Sequence, residues 1–254
     1  MRLGNYRVEI EGHEVVGLQD DLSSLTYNRE SNTLFATLNR EPLLVELSLE
    51  GELLRKVRVN GVEDMEGLTH VGGNRYVVAE ERTQRLLILD VPPQALDVAT
   101  DAAASLTIGM DLNGNKGFEG LSWDHRRQRL LVVKERDPMR VLSITGFVDA
   151  RPGEPMQVAI QELESSDSPR LFMHDLSSLS THDETGHLLL LSDQSHMVVE
   201  YSETGRPLSL LGLWRGMSGL QKTVPQAEGL SLDSAGRLYL VSEPNLFYRF
   251  VPGK

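Results

Sequence analysis

Acidic and hydroxylated residues recur in this chain at fixed distances from a leucine. Glu66, Glu119 and Glu228 each stand two residues before a Leu, in "DMEGLTHV" (64–71), "GFEGLSWD" (117–124) and "QAEGLSLD" (226–233). Ser23 and Ser177 hold the same place in "DLSSLTYN" and "DLSSLSTH". Four residues before the same leucines stand Asp21, Asp64, Gly117, Asp175 and Gln226. Another polar position follows the Leu by 13 or 14 residues and holds Asn39, Glu81, Glu135, Asp193 and Glu243. If these positions converge, as many as ten oxygen-bearing side chains meet in one place. Like charges so close raise one another's pKa unless something neutralises them. A hard cation does this, and Ca²⁺ takes about six to eight oxygen ligands of this kind. The candidate ligands are Glu66, Glu119, Glu228, Glu81, Glu135, Glu243, Asp193, Asp175 and Asp21.

A structural role competes with ligation. A repeated carboxylate can accept hydrogen bonds from backbone N–H groups of a neighbouring unit and dock the two. Arg40, Arg82 and Arg136 each follow a residue of the later polar position and offer it a counter-charge, although strand alternation points adjacent side chains apart. Other chemistry has less support. There is no cysteine, which excludes thiolate sites and disulfides, and the seven histidines show no metal-binding spacing. "DLNGNKG" (111–117) begins like an EF-hand loop but has Lys116 where that loop needs Gly, and no closing Glu. "GMSGL" (216–220) lacks the spacing of a nucleophile elbow. His70, His125, His174 and His182 are general-base candidates by residue type alone, and Trp123 and Trp214 read as packing residues.

The elements that must position these residues follow from the repeat. The five marked leucines are Leu25, Leu68, Leu121, Leu179 and Leu230, spaced 43, 53, 58 and 51 residues apart. A given tripeptide such as Glu-Gly-Leu is expected about 0.1 times by ordinary composition. Three copies in register with two Ser-Ser-Leu variants therefore mark a repeated unit. Each copy leads into a polar turn and then a dense apolar run: "TLFATL", "RYVVA", "RLLVV", "HLLLL" and "RLYLV". Short apolar runs bounded by turns read as strands buried on both faces.

A third strand follows in every unit, and a fourth in four of them, at 53–59, 105–110, 157–163 and 208–214. The fifth unit ends before its fourth strand, and "YRVEI" (6–10) can supply it from the other end of the chain. The expected fold is all-β: a five-bladed β-propeller of four-stranded blades over 1–254. Its blades start near 21, 64, 117, 175 and 226, and the N-terminal strand closes the last. The long interval 140–175 leaves room for a weakly marked sixth blade, and 92–106 for a helical turn. The first strand of a blade lines the central channel. Its start and the end of the second strand lie at the same end of their hairpin, so both polar rings are expected around one channel mouth.

The formal net charge of −12 argues against nucleic acid or an anionic membrane surface as partner. No stretch approaches the roughly 18 apolar residues of a membrane span, and the first ten residues lack the apolar run of a signal peptide.

The C-terminal stretch "QAEGLSLDSAGRLYLVSEPNLFYRF" (226–250), with "GFEGL" and "LSSLTYNRESNTLFATLN" (22–39), resembles the SdiA-regulated family, itself similar to NHL-repeat proteins. The resemblance spans about Tyr6 to Pro252. It implies a five-bladed propeller with a bound calcium ion, at motif positions Glu66, Glu119 and Glu228 with the later-position acids behind them. It also implies an N-terminal leader or anchor in many members, hence a periplasmic or cell-envelope location where one is present and a cytoplasmic one otherwise. Ser23 and Ser177 depart from Glu, which breaks fivefold symmetry and moves the ion off the axis. The resemblance names no reaction. Two functions stay open: a calcium-binding module that holds a protein or small ligand at the channel mouth, and a Ca²⁺-dependent lactonase, phosphoesterase or glycosidase using the same carboxylates.

Overall fold

The structure is a computed structural model that describes residues 1–19, 22–110, 117–151, 153–165 and 170–253. Asp21 and most of "DLNGNKG" lie outside the described residues. Five sheets, each built on four antiparallel strands, follow one another around a ring. Blade one holds strands Thr26–Asn28, Thr33–Thr37, Leu43–Leu47 and Leu53–Asn60; blade two holds Met65–Gly72, Arg75–Glu80, Arg85–Asp90 and Ser105–Thr107. Blade three holds Phe118–Asp124, Arg129–Lys134, Arg140–Thr145 and Ala159–Ser165, and blade four Ser178–His182, His187–Ser192, Met197–Tyr201 and Pro207–Gly212. Blade five takes Ala227–Leu232, Leu238–Ser242 and Leu246–Pro252 from the C-terminus and Tyr6–Glu14 from the N-terminus. The terminal strands pair antiparallel from Tyr6 opposite Pro252 to Glu14 opposite Leu246. The expected five-bladed propeller and its closure are observed.

The interval 140–175 supplies the two outer strands of blade three, with Ile144 opposite Ile160, and no sixth sheet forms among the described residues. The stretch 92–106 holds turns rather than helix. Its Asp97–Ala99 pairs parallel with the outer strand of blade one and gives that sheet an unexpected fifth strand.

Apolar side chains pack between blades. Blade one meets blade two through Phe35, Leu44, Val57, Leu68 and Val78, and blade five meets blade one through Tyr239, Val241, Phe247, Leu34 and Val45. The same arrangement fills the other three gaps. This is why the runs are apolar at successive rather than alternate positions: each middle strand is covered by a blade on either side.

Hydroxyls complete the docking. The residue after each marked leucine is Thr or Ser. Thr26 Oγ1 accepts from the His70 N–H at 3.0 Å, Thr69 Oγ1 from Trp123 N–H at 2.9 Å and Ser122 Oγ from Thr181 N–H at 3.0 Å. Three successive junctions are therefore riveted by a hydroxyl on the inner strand. Each bond satisfies a buried amide that the adjacent blade cannot pair within its own sheet.

Candidate metal centre at one channel mouth

The Glu of each Glu-Gly-Leu phrase sits on a β-bulge. Pairing runs from Met65 opposite Glu80 to Gly67 opposite Ala79, from Phe118 opposite Lys134 to Gly120 opposite Val133, and from Ala227 opposite Ser242 to Gly229 opposite Val241. In each case Glu66, Glu119 or Glu228 is the extra residue. Regular alternation would put that Glu on the same face as the leucine two residues later, among the apolar side chains. The bulge re-aims it.

The glycine that follows permits close approach of the next blade. A Cβ at Gly120 would lie 2.9 Å from Ser178 Cα, one at Gly67 2.9 Å from the Leu121 side chain, and one at Gly229 2.8 Å from the Ser24 carbonyl carbon.

The later polar position reaches the same place through the hairpin. The Glu81, Glu135 and Glu243 N–H groups donate to the carbonyls of Asp64, Gly117 and Gln226 at 3.1, 3.1 and 3.0 Å. The result is a cavity of about 280 Å³ lined by Asn39, Glu66, Glu81, Glu119, Glu135, Asp175, Ser177, Asp193, Gln226, Glu228 and Glu243, with Arg136 and Gln194. All five residues of the later ring and four of the earlier one converge as expected. Arg136, expected as a counter-charge to Glu135, lines it too, and Gln194, which the sequence reading did not single out, follows Asp193 in the corresponding place. Ser23 is buried beside Glu66, and its Oγ has no well-formed hydrogen bond.

The carboxylates divide between docking and the cavity. Glu81 Oε1 accepts from the Gly117 N–H at 3.2 Å and Asp193 Oδ1 from the Ala227 N–H at 3.0 Å, so each clasps the next blade. Asp175 accepts from the Ser192 hydroxyl and the Gln194 N–H within its own blade. Glu135 pairs with Arg136 at 3.0 Å. Glu66, Glu119 and Glu228 accept no backbone hydrogen bond among the described residues. Docking thus accounts for Glu81 and Asp193 but leaves the three phrase glutamates unexplained.

Their electrostatics match that position. Burial, then the charges of Glu81, Asp64 and Glu243, push Glu66 up to about 8 against the lowering effect of the Ser23 hydroxyl. Burial and the charges of Glu66, Glu81, Glu135 and Glu228 hold Glu119 well above the usual carboxylate range. Burial, then Asp193, Glu66 and Glu243, does the same to Glu228.

Two triads, Asp64–Glu66–Glu81 and Glu81–Glu119–Glu135, each bring three carboxylate oxygens within 4.8 Å of one another. The donors are all hard oxygens, with no histidine among them, and suit an alkaline-earth cation by type. The cluster is therefore able to hold a metal ion. The four histidines singled out by type lie elsewhere. His70 bonds Gly73 O at 2.9 Å and, with His125, lines a small polar cavity among the inner-strand hydroxyls. His182 Nδ1 meets Thr185 at 2.7 Å, and His174 is exposed. None lines the acidic cavity. Trp123 is buried, whereas Trp214 is about half exposed and stands edge-on to His196, so only the first is a packing residue of the core.

Solved structures with a similar fold are numerous. A luciferin-regenerating enzyme matches 98% of this chain and 97% of its own at 13% identity and a TM-score of 0.55. A gluconolactonase from Xanthomonas campestris matches 98% and 90% at 14% identity and 0.54. A streptogramin B lyase matches 99% and 99% at 7% identity and 0.56. At such identities the likeness is one of fold. The SdiA-regulated family model, by contrast, matches residues 1–251, the stretch that carries all five blades and both polar rings, and the chain belongs to that family.

Proposed function

We propose that this propeller binds Ca²⁺ at the acidic channel mouth and uses the site to hold a ligand or a protein partner there. The observation that carries this reading is the set Glu66, Glu119 and Glu228: three phrase glutamates on bulges, aimed at one cavity and without a backbone bond to justify them. Gathering them without a counter-ion destabilises the fold, and a hard divalent cation removes that cost. A groove of about 1000 Å³ adjoins the mouth, shares Asn39 with it, and has Pro42, Val62 and both charges, Arg40, Arg82 and Arg85 with Glu63, Asp64 and Glu80, in its walls. A groove of that size and mixed polarity next to the site suits a small polar ligand.

Calorimetry with Ca²⁺ on chelator-stripped protein tests the reading. Saturable heat and a raised melting temperature are expected; neither appearing would sink it.

The hydrolase reading draws on the Glu66 carboxyl, whose raised pKa of about 8 suits a general acid or base near neutral pH. Fold likeness to a gluconolactonase carries no activity across by itself. Turnover of lactones, phosphoesters or aryl glycosides that requires both Ca²⁺ and Glu119 would favour the enzyme over the binding module.

A further inference from the structure

We infer that the mouth recognises its ligand through an oxyanion, a carboxylate or a phosphate, held between the cation and a donor corner made by Arg136 and Gln194; this rests on the calcium reading above. The two residues occupy one place in the repeat. The residue after the later polar position is Arg40, Arg82, Arg136, Gln194 and Pro244 in blades one to five. Arg40 and Arg82 line the outer groove, whereas Arg136 and Gln194 line the cavity itself. They stand on successive blades, so the corner lies at the junction of blades three and four. Both oxygen triads draw on blades two and three, and Glu135 of one triad is the neighbour of Arg136. Cation and donor corner therefore adjoin within one cavity.

Arg136 supplies the observation that points to a ligand. Its Nη2 pairs with Glu135 at 3.0 Å, and its charge reaches Asp175 across the junction. Its Nε is buried and has no hydrogen-bond partner. Other arginines of this chain direct that N–H at a carboxylate: Arg55 at Glu46 over 2.9 Å, Arg85 at Glu80 over 2.7 Å, Arg129 at Asp124 over 3.0 Å and Arg237 at Asp233 over 2.6 Å. Arg136 leaves it open although eight carboxylates line the same cavity. A buried guanidinium N–H without an acceptor is costly, and an oxyanion removes that cost with a charge-assisted bond.

Gln194 offers a second donor from a fixed backbone, because its own N–H is held by Asp175 at 3.2 Å. Carboxylates alone would repel an anion. With Ca²⁺ beside Glu135, a group with two oxygens can place one on the ion and the other on the Arg136 N–H. A neutral hydroxyl meets the same two partners without that charge.

Calorimetry of the whole chain loaded with Ca²⁺ tests this, with methylphosphonate, acetate and neutral methyl glucoside as probes. Saturable binding of methylphosphonate or acetate is expected, tighter than that of the glucoside, and the tighter anion names the oxyanion. Chelated protein should bind neither. Arg136→Gln should weaken the anion about tenfold or more, and Arg136→Lys nearly as much, because lysine keeps the charge but loses the directed Nε donor. Neither change should weaken Ca²⁺. Gln194→Ala should weaken the anion less. Near-ultraviolet circular dichroism establishes that each variant folds, and Gln194→Ala stands if the arginine variants do not. Ca²⁺ binding without either anion, equal binding of the glucoside, or anion binding unchanged in Arg136→Gln overturns the inference and leaves the calcium reading intact. No Ca²⁺ binding removes both.

Discussion

Glu81 Oε1 accepts a hydrogen bond from the Gly117 N–H at 3.2 Å, so a carboxylate at the end of blade two closes over the start of blade three. The same carboxylate belongs to both oxygen triads. Docking and, under the proposed calcium reading, ligation thus fall to one side chain, and blade spacing sets the geometry of the cavity.

That closeness makes Gly117 intolerant of a side chain. A Cβ there would lie 2.1 Å from the Glu81 carbonyl oxygen, which is backbone and cannot swing aside. Gly117→Ala should cost about 2 kcal/mol of stability, the range typical of overpacking. Urea unfolding measures it; an unchanged midpoint would show that blades two and three separate easily.

Ligand and rivet predict opposite signs. Thr69→Val removes the acceptor of the buried Trp123 N–H and should cost about 1–3 kcal/mol with Ca²⁺ affinity unchanged. Glu119→Gln removes a carboxylate crowded by burial and by Glu66, Glu81, Glu135 and Glu228. It should raise the melting temperature of the chelated protein and weaken Ca²⁺ at least tenfold. If Glu119→Gln instead destabilises the chelated protein as Thr69→Val does, the glutamate is structural.

Cation removal should expose a pH dependence of definite sign. Glu66 is pushed up to about 8, first by burial and then by Glu81, Asp64 and Glu243, against an ordinary value of 4.5 in the unfolded chain. Between these values the folded state holds more protons, so the stability of chelated protein falls as pH rises from about 5 to 8. Glu119 and Glu228, also raised, add to that slope. Saturating Ca²⁺ should flatten it. Melting curves at three pH values, with chelator and with Ca²⁺, make the comparison, and a chelated protein that grows more stable toward pH 8 contradicts it.

The outer part of blade four should behave in the opposite way. Burial alone would raise the Glu200 carboxyl, but bonds from Ser209 at 2.5 Å and His187 at 2.8 Å, with the amino-terminal charge, hold it below the usual range. Its stabilisation is present above the unfolded value and lost as pH falls through the lower folded one. Glu200→Gln should cost about 2 kcal/mol at pH 7, in line with charge-assisted hydrogen bonds, and reduce acid sensitivity below about pH 4. Acid titration followed by circular dichroism reads both effects.

The blade count, the strand positions and the closure by Tyr6–Glu14 were legible in the sequence because each follows from local pattern. A marked leucine, a polar turn and an apolar run recur whenever a strand is covered on both faces. The convergence of Glu66, Glu119, Glu228 and the later ring was legible for a similar reason: a hairpin brings its two ends together whatever surrounds it. Strand Asp97–Ala99 was not legible. Three residues pairing with a sheet from the preceding blade leave no local periodicity, and the alanines around them read as helix formers.

The sequence by itself determined that five similar units form a ring and that their oxygens gather at one mouth. Only the tertiary structure decided what each oxygen does there. Alternation along a strand assigns Glu66 and Leu68 to one face; a bulge parts them, and it is followed by Gly67, against which Leu121 of the next blade packs. Which carboxylate clasps an amide, as Glu81 and Asp193 do, depends on the distance between neighbouring blades. That distance is set by packing across five inter-blade cores, to which residues far apart in the chain contribute together.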